Sequence, residues 1–104
     1  MFPIIQMTQK ERKELVKKLT ETALSKDQSK DQGCEAVDAL AELKETKATL
    51  KIALEAKDAR IRGHATQGLN GHIYELREFI EKTREPRLKE LANSFIAEMK
   101  TKKI

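Results

Sequence analysis

A short pattern of apolar residues occurs twice in the second half of the chain, and it constrains the fold more than any other feature. Each copy has an apolar residue, an alanine and another apolar residue at four-residue spacing: Ile61, Ala65 and Leu69, then Leu88, Ala92 and Ile96. Residues four apart share one face of an α-helix, so each copy predicts a helix with a small residue at the centre of its buried face. Because one amphipathic helix cannot bury that face alone, the repeat predicts a stack of similar units.

The composition favours helix along the whole chain. Of 104 residues, 38% are hydrophobic and 37% are charged, and the apolar residues are mostly Leu, Ile and Ala. Four glycines and two prolines provide too few turns for a sandwich or barrel of strands. The length is that of one domain. We therefore predict an all-α fold in a single helical-repeat domain over residues 1–104.

The first helix has clear sequence signals. Thr8 and Glu11 have the spacing of a capping box, in which each side chain accepts a hydrogen bond from the other residue's backbone amide. The apolar residues that follow share one helix face: Leu15, Val16, Leu19 and Ala23. Residues 25–32 are the tetrapeptide Ser-Lys-Asp-Gln written twice and contain no apolar side chain, which predicts a solvated loop.

Residues 33–62 allow two interpretations. One is a single long helix in a coiled-coil dimer, with core positions 36, 40, 43, 47, 50, 54, 57 and 61. That seam would contain Lys47 and Lys57, which is costly but tolerated. The other interpretation is a set of shorter helices folded back on each other. Residues 44–49 contain no Gly or Pro, and only Thr46 or Thr49 offers an N-cap, so the long-helix alternative stays open.

The internal repeat favours the folded-back interpretation. We predict a short α-solenoid of about three antiparallel helix pairs, with units at approximately 8–43, 46–70 and 72–99. Breaks between helices are expected near residues 24–32, 44–48, 57–59, 70–72 and 83–86. Asn70-Gly71 is expected to form a turn, and Pro86 to lie in the first turn of the last helix. Small residues are expected where helices cross: Ala36, Gly63, Ala65, Gly68 and Ala92.

The repeated unit resembles the HEAT-like α-helical repeat family, especially its shorter variety. That family has an apolar first helix, an acidic turn, an apolar-Arg pair, and then Ala and Leu on the second helix. The matching positions of the middle unit are Asp58, Ile61, Arg62, Ala65 and Leu69, and those of the last unit are Glu85, Leu88 and Ala92, with Lys89 replacing Arg. The first unit departs from the pattern at Ser29 and Gly33. The resemblance covers residues 10–99 and implies a surface for binding partners.

No catalytic, cofactor or metal site is predicted. His64 and His72 are eight residues apart, whereas metal ligation from one helix needs a spacing of four. The single cysteine, Cys34, excludes an intramolecular disulfide and aligns with Gly63 as a small buried residue. The glycines between 63 and 71 lack the Lys and Ser/Thr of a phosphate loop. Each carboxylate has a basic residue near it, so no pair has the apolar surroundings that acid–base catalysis needs.

The remaining candidate residues are basic. Arg60, Arg62, Arg84, Arg87 and Lys89, called here the cationic edge, cluster at two successive turns inside the predicted pairs. With His64, they are the candidate contacts to a partner or a phosphate. In a stack of pairs these cations would form a row able to follow a phosphate backbone. The competing interpretation is ion pairing between units, with Arg62 bound to Asp58 or Glu85.

The expected function is a non-enzymatic protein-interaction module, since a repeat adds surface without adding chemistry. The alternative is a nucleic-acid-binding helical domain that uses Arg60, Arg62, Arg87 and Lys89. The ends of the stack expose apolar residues, so self-association is a further expectation, although Phe2, Ile4 and Ile5 are candidates to cap one end. No segment is apolar for long enough to span a membrane, and no signal peptide is recognised, which favours a cytoplasmic location.

Overall fold

The computed structural model describes residues 8–25 and 30–101, and within them it contains helices and no strand. The helices are α1 (Gln9–Leu24), α2 (Lys30–Glu42), α3 (Thr46–Glu55), α4 (Ala59–Gly68), α5 (Ile73–Lys82) and α6 (Pro86–Thr101). The all-α prediction is confirmed. The coiled-coil alternative is wrong, because residues 34–62 contain two breaks and belong to three helices.

The helices pack in consecutive pairs: α1 with α2, α3 with α4, and α5 with α6. The pairs then stack, since α3 contacts both α1 and α5, and α4 contacts both α2 and α6. One layer therefore holds the first helices of the pairs and the other holds the second helices. The last two pairs have matching boundaries. The first helices begin at Thr46 and Ile73, and the second helices begin at Ala59 and Pro86, so both offsets equal the 27 residues between Ile61 and Leu88.

The first break inside 34–62 occurs where the sequence offers neither Gly nor Pro. Lys44 adopts a left-handed backbone, with φ at 60°. Its amide donates to the Ala41 carbonyl at 3.0 Å, and the Glu45 amide donates to the Leu40 carbonyl at 3.0 Å. This is a Schellman motif, which normally places Gly at the left-handed position.

The start of α3 also differs from the prediction. Thr46 and Thr49 were the two candidate N-caps, and neither caps the helix. Thr46 is the first residue of α3, and the Thr49 hydroxyl donates to the Glu45 carbonyl at 2.9 Å. The N-cap position belongs to Glu45, whose side chain makes no capping hydrogen bond.

Replacement of Lys44 by glycine is expected to stabilise the protein. A residue with a Cβ has a cost of about 1–2 kcal/mol in the left-handed region, and glycine removes this cost. Part of the stability gained is lost again, because glycine gives the unfolded chain more conformational entropy. We expect the free energy of unfolding to rise by about 0.5–1 kcal/mol in urea titrations. Lys51→Gly, inside α3, is the matched control and should lower it by about 1 kcal/mol. An unchanged or lower stability of Lys44→Gly would contradict this account of the turn.

Other local predictions are confirmed. Thr8 and Glu11 form the capping box at the start of α1, with both reciprocal hydrogen bonds at 3.1 Å. Bonding to the Thr8 amide and hydroxyl lowers the pKa of Glu11. Gly71 supplies the turn before α5 with φ at +93°, and Pro86 begins α6.

Small residues lie where the helices meet. Ala65 and Ala92 are fully buried and Ala36 is 4% exposed, so the predicted burial of Ala65 and Ala92 is confirmed. Large side chains of the same core are fully buried too: Leu40, Ile52, Leu69, Leu76 and Phe79. These residues form one core that runs through all three pairs.

Of the two glycines predicted at close helix contacts, Gly68 is confirmed and Gly63 is not. A Cβ on Gly68 would lie 3.2 Å from Thr49 Cγ2, so this glycine does permit a close approach. A Cβ on Gly63 would lie 3.8 Å from Leu88, which is ordinary contact, so no close approach requires a glycine there. The tightest position is Gly33, where a Cβ would overlap the side chain of Ile61. The repeat pattern has an arginine at the position of Gly33. Glycine in its place leaves room for the side chain of Ile61, so α4 packs closely on α2.

Two sequence predictions fall wholly or partly on residues outside those described. The loop predicted for 25–32 includes residues 26–29, which lie outside them. Its last part is helical, since α2 begins at Lys30 and Asp31 and Gln32 belong to it. The proposed cap of Phe2, Ile4 and Ile5 also lies outside the described residues.

Candidate functional site

Arg62, the cation of the repeat pattern, connects two neighbouring pairs. Its side chain extends from the first turn of α4 and forms an ion pair with Glu85 in the turn between α5 and α6. Its Nη1 donates to the carbonyl oxygens of Ala56 and Lys57, at 2.7 and 3.1 Å. The predicted pairing of Arg62 with an acidic residue is confirmed for Glu85, and the guanidinium is engaged at both Nε and Nη1.

Arg60 and His64 also connect neighbouring elements. Arg60 Nη1 lies 3.7 Å from Asp31 Oδ1, and His64 Nε2 lies 2.6 Å from Asp38 Oδ1. Both contacts run from α4 to α2. The sequence suggests no acidic partner for Arg60 within one helical turn, but its partner comes from the preceding pair. Arg60 nevertheless remains 63% exposed, so this ion pair stabilises the fold only weakly.

The other three candidate cations have no ion pair within the described residues. Arg84, Arg87 and Lys89 are all exposed. Arg84 lines a surface cavity of about 300 Å³ together with Arg62, Lys82 and Glu85. The cationic edge is thus divided: Arg60 and Arg62 contact carboxylates of other elements, while Arg84, Arg87 and Lys89 face solvent.

Cys34 lies in α2, the helix that packs on α4, and is 8% exposed. Burial raises the pKa of its thiol above the ordinary 9.0; Arg60 opposes that shift, and the carboxylates of Asp38, Asp31 and Asp58 reinforce it. Because the thiolate is the nucleophile, a raised pKa keeps the sulfur unreactive at neutral pH. The predicted structural burial of Cys34 is confirmed.

Alkylation of Cys34 by iodoacetamide is expected to be slower in the native protein than in the urea-unfolded chain by about tenfold or more at pH 7. As the pH is raised towards 9, alkylation of the unfolded chain should accelerate before that of the native protein, since the thiol of the unfolded chain ionises at the lower pH. Mass spectrometry of quenched samples measures both rates. Equal rates would show that the thiol is accessible in the native protein and would contradict its burial in α2.

The layer of first helices contains a groove that no sequence pattern indicated. The α1–α3 groove has a volume of about 470 Å³. Its lining comes from the last two turns of α1 and the first two turns of α3: Lys17, Thr20, Glu21, Leu24, Lys47, Ala48 and Lys51. Leu24 and Ala48 are half-buried and pack against the core, so they form an apolar floor. The three lysines are exposed, and none has an ion pair within residues 8–25 and 30–101.

The next groove along the same layer has a different charge. It lies between α3 and α5, has a volume of about 350 Å³, and shares Lys47 and Lys51 with the α1–α3 groove. Glu55, Glu75, Glu78 and Lys82 complete its charged lining, so its positive and negative charges are equal in number. Lys82 donates to Glu78 at 2.8 Å, and this bond raises the pKa of Lys82. Of the two linings, each counted separately, that of the α1–α3 groove has the excess of positive charge.

The described part of the chain offers no metal site. No three side chains of His, Cys, Asp or Glu cluster there so that they could hold a metal ion. Among the helices of residues 8–25 and 30–101, none is both long and apolar enough to cross a membrane.

No family model, curated protein or solved structure matches this chain.

Proposed function

We propose that this chain is a non-enzymatic protein-interaction module whose binding surface is the layer of first helices. The observation that carries the proposal is the α1–α3 groove, in which an apolar floor is bordered by three lysines without ion-pair partners in the described structure. An unpaired, exposed lysine has little stabilising role in a fold, whereas a border of charge around apolar surface is typical of a binding site. The HEAT-like repeat family remains our proposal for the origin of the fold, supported by the stacked pairs and the matching helix boundaries.

Nucleic-acid binding is the second candidate, and one observation favours it. Arg84, Arg87 and Lys89 are exposed and free of ion pairs in the described structure, so they are available to phosphates. Two observations weaken it: Arg62 is engaged with Glu85 and two carbonyl groups, and Arg60 lies beside Asp31. The expected row of cations is thereby shortened. The segments 60–62 and 84–89, which carry these cations, contain no aromatic residue, so base stacking has no support either.

Site-specific photo-crosslinking in the native host tests the first candidate against the second. A benzophenone amino acid at position 47, in the α1–α3 groove, is expected to form an adduct with a protein. The matched control is position 100, an exposed lysine near the end of α6. A probe at position 87 reports on the cationic edge. Protein adducts at 47 and none at 100 support the interaction module. Nucleic-acid adducts at 87, with none to protein at 47, would favour the alternative.

A further inference from the structure

The α1–α3 groove restricts the chemistry of its partner more than the proposed function requires. Its lining carries three lysines and a single glutamate, Glu21, so the lining has a net charge of +2. The neighbouring α3–α5 groove is balanced, with Lys82 held by Glu78 at 2.8 Å. Because Lys47 and Lys51 line both grooves, an acidic partner gains most attraction on the α1 side of α3, where Lys17 joins them.

The backbone of the groove restricts the partner's conformation. Both walls are α-helices, so neither offers the edge of a strand, and free backbone groups occur only in the last turn of α1 and the first turn of α3. An extended peptide would find no strand edge to bond with, so most of its backbone hydrogen bonds would be to water and would add little to the affinity. A helix satisfies its backbone internally and can lay an apolar stripe on Leu24 and Ala48. The small side chain of Ala48 lets such a helix approach the floor.

The lengths of the walls agree with a helical partner. The α3 wall is a helix of ten residues, which corresponds to about 15 Å. A partner helix of about three turns covers that length, with apolar residues at three- and four-residue spacing facing the floor. Acidic residues on its two flanks then meet Lys17 on the α1 side and Lys47 and Lys51 on the α3 side.

Resting on the function proposed above, we propose that the α1–α3 groove binds an acidic amphipathic helix of a partner protein, with its apolar stripe on Leu24 and Ala48 and its carboxylates beside Lys17, Lys47 and Lys51. A second copy of this chain is the less favoured occupant. Its α2 helix is rich in carboxylates, but Asp31 and Asp38 of α2 already contact Arg60 and His64.

Fluorescence anisotropy with designed peptides tests the inference on the full chain. The probe is a labelled peptide of about four helical turns with leucines at helical spacing and glutamates on both flanks. One comparison peptide replaces every glutamate by glutamine, and another carries a proline at its centre, which breaks the helix. We expect the acidic peptide to bind and to become helical by circular dichroism. The glutamine and proline peptides should bind more weakly by about tenfold or more, and salt should weaken the binding of the acidic peptide far more than that of the glutamine peptide.

Charge reversal places the site on the molecule. The triple variant Lys17→Glu, Lys47→Glu and Lys51→Glu is expected to weaken binding of the acidic peptide by about tenfold or more. The matched control reverses three exposed lysines elsewhere, Lys10→Glu, Lys57→Glu and Lys100→Glu, with the same change in net charge. All six positions are exposed, and thermal melts compare the folding of the two variants. If the groove variant binds a peptide with lysines in place of glutamates more tightly than it binds the acidic peptide, the contact lies in the groove.

Several results would overturn the inference. Equal loss in both triple variants would show a net-charge effect without a site. Equal binding of the proline peptide would show that no helix is recognised. If the chain self-associates in sedimentation experiments and the groove variant does not, the groove binds a second copy. If duplex DNA binds more tightly than the acidic peptide and the groove variant loses that binding, the groove binds phosphates. Failure of the peptide to bind, with protein crosslinks at position 47 intact, would overturn only the acidic-helix inference and leave the interaction module standing.

Discussion

Replacement of Ala65 by leucine is expected to lower the free energy of unfolding by about 1–3 kcal/mol, because the larger side chain has no space at the helix crossing. Ala65 is fully buried in α4. The core to which it belongs also contains large side chains that are equally buried, among them Leu40, Leu69 and Leu76. The extra carbon atoms must therefore displace a helix or adopt unfavourable rotamers. Urea denaturation followed by circular dichroism measures the change.

A control in the same helix separates overpacking from helix propensity. Ala59 is exposed at the start of α4, so Ala59→Leu should change the stability by less than about 0.5 kcal/mol. The last pair offers the same comparison, with the buried Ala92 and the exposed Ala97 both in α6. Ala92→Leu should be the costly member of that pair. An unchanged midpoint for Ala65→Leu would place the residue on the surface and would refute the packing of α4 described above.

These alanines could be predicted because the information that identifies them is local. Periodicity places Ala65 four residues from Ile61 and from Leu69, and a 27-residue offset repeats the pattern in α6. The capping box at Thr8 and the position of Pro86 are local in the same sense, because each is decided by residues within one turn. Features of this kind were predicted correctly from the sequence.

Features that depend on residues distant in the sequence were missed or only partly predicted. Arg12 shows the difficulty: its Nη2 donates to the Leu43 carbonyl at 2.5 Å and its Nε to Glu45 at 2.8 Å, which ties α1 to the turn after α2. Nothing within one turn of Arg12 indicates that role. The contact of Arg60 with Asp31 was missed for the same reason. The α1–α3 groove needs the adjacency of two helices that are separated in the chain by α2.

The break at Lys44 was difficult for a different reason. A left-handed residue at the end of a helix is usually glycine, and its absence kept the long-helix alternative open. Tertiary packing outweighs the local preference here. Folding back buries Leu40, Leu50 and Ile52 in a common core, and that gain exceeds the cost of one strained lysine backbone.

Arg62 carries the second large expected effect, and a double-mutant cycle measures it. Arg62→Ala removes the ion pair with Glu85 and two hydrogen bonds to the carbonyls of Ala56 and Lys57. The side chains of Arg62 and Glu85 are 22% and 35% exposed, so the contact is partly shielded from water. We expect a loss of about 1.5–3 kcal/mol, the usual range for hydrogen bonds to a charged group, which exceeds that of an exposed pair.

The cycle with Glu85→Ala separates the ion pair from the carbonyl bonds. A coupling energy of about 0.5–3 kcal/mol between the two positions is expected, and the remaining loss of Arg62→Ala belongs to Ala56 and Lys57. Arg62→Lys should recover only part of the stability, because a single ammonium cannot reproduce the planar fork of the guanidinium. The control is Arg87→Ala, an exposed cation with no ion pair in the described residues, which should change stability by less than about 0.5 kcal/mol.

Alanine variants of the exposed cations decide what the cationic edge does. If Arg84, Arg87 and Lys89 bind phosphates, their replacement by alanine should leave the fold intact. It should also flatten the slope of log affinity for duplex DNA against log salt concentration, by about one for each phosphate contact that is lost. We expect no such change in slope, because the cation at the centre of the edge already binds Glu85 and holds two pairs together. The expected signature is therefore a stability effect confined to Arg62. Strong, salt-sensitive DNA binding that disappears in the Arg87→Ala, Lys89→Ala variant, at unchanged stability, would reverse the order of the two candidate functions.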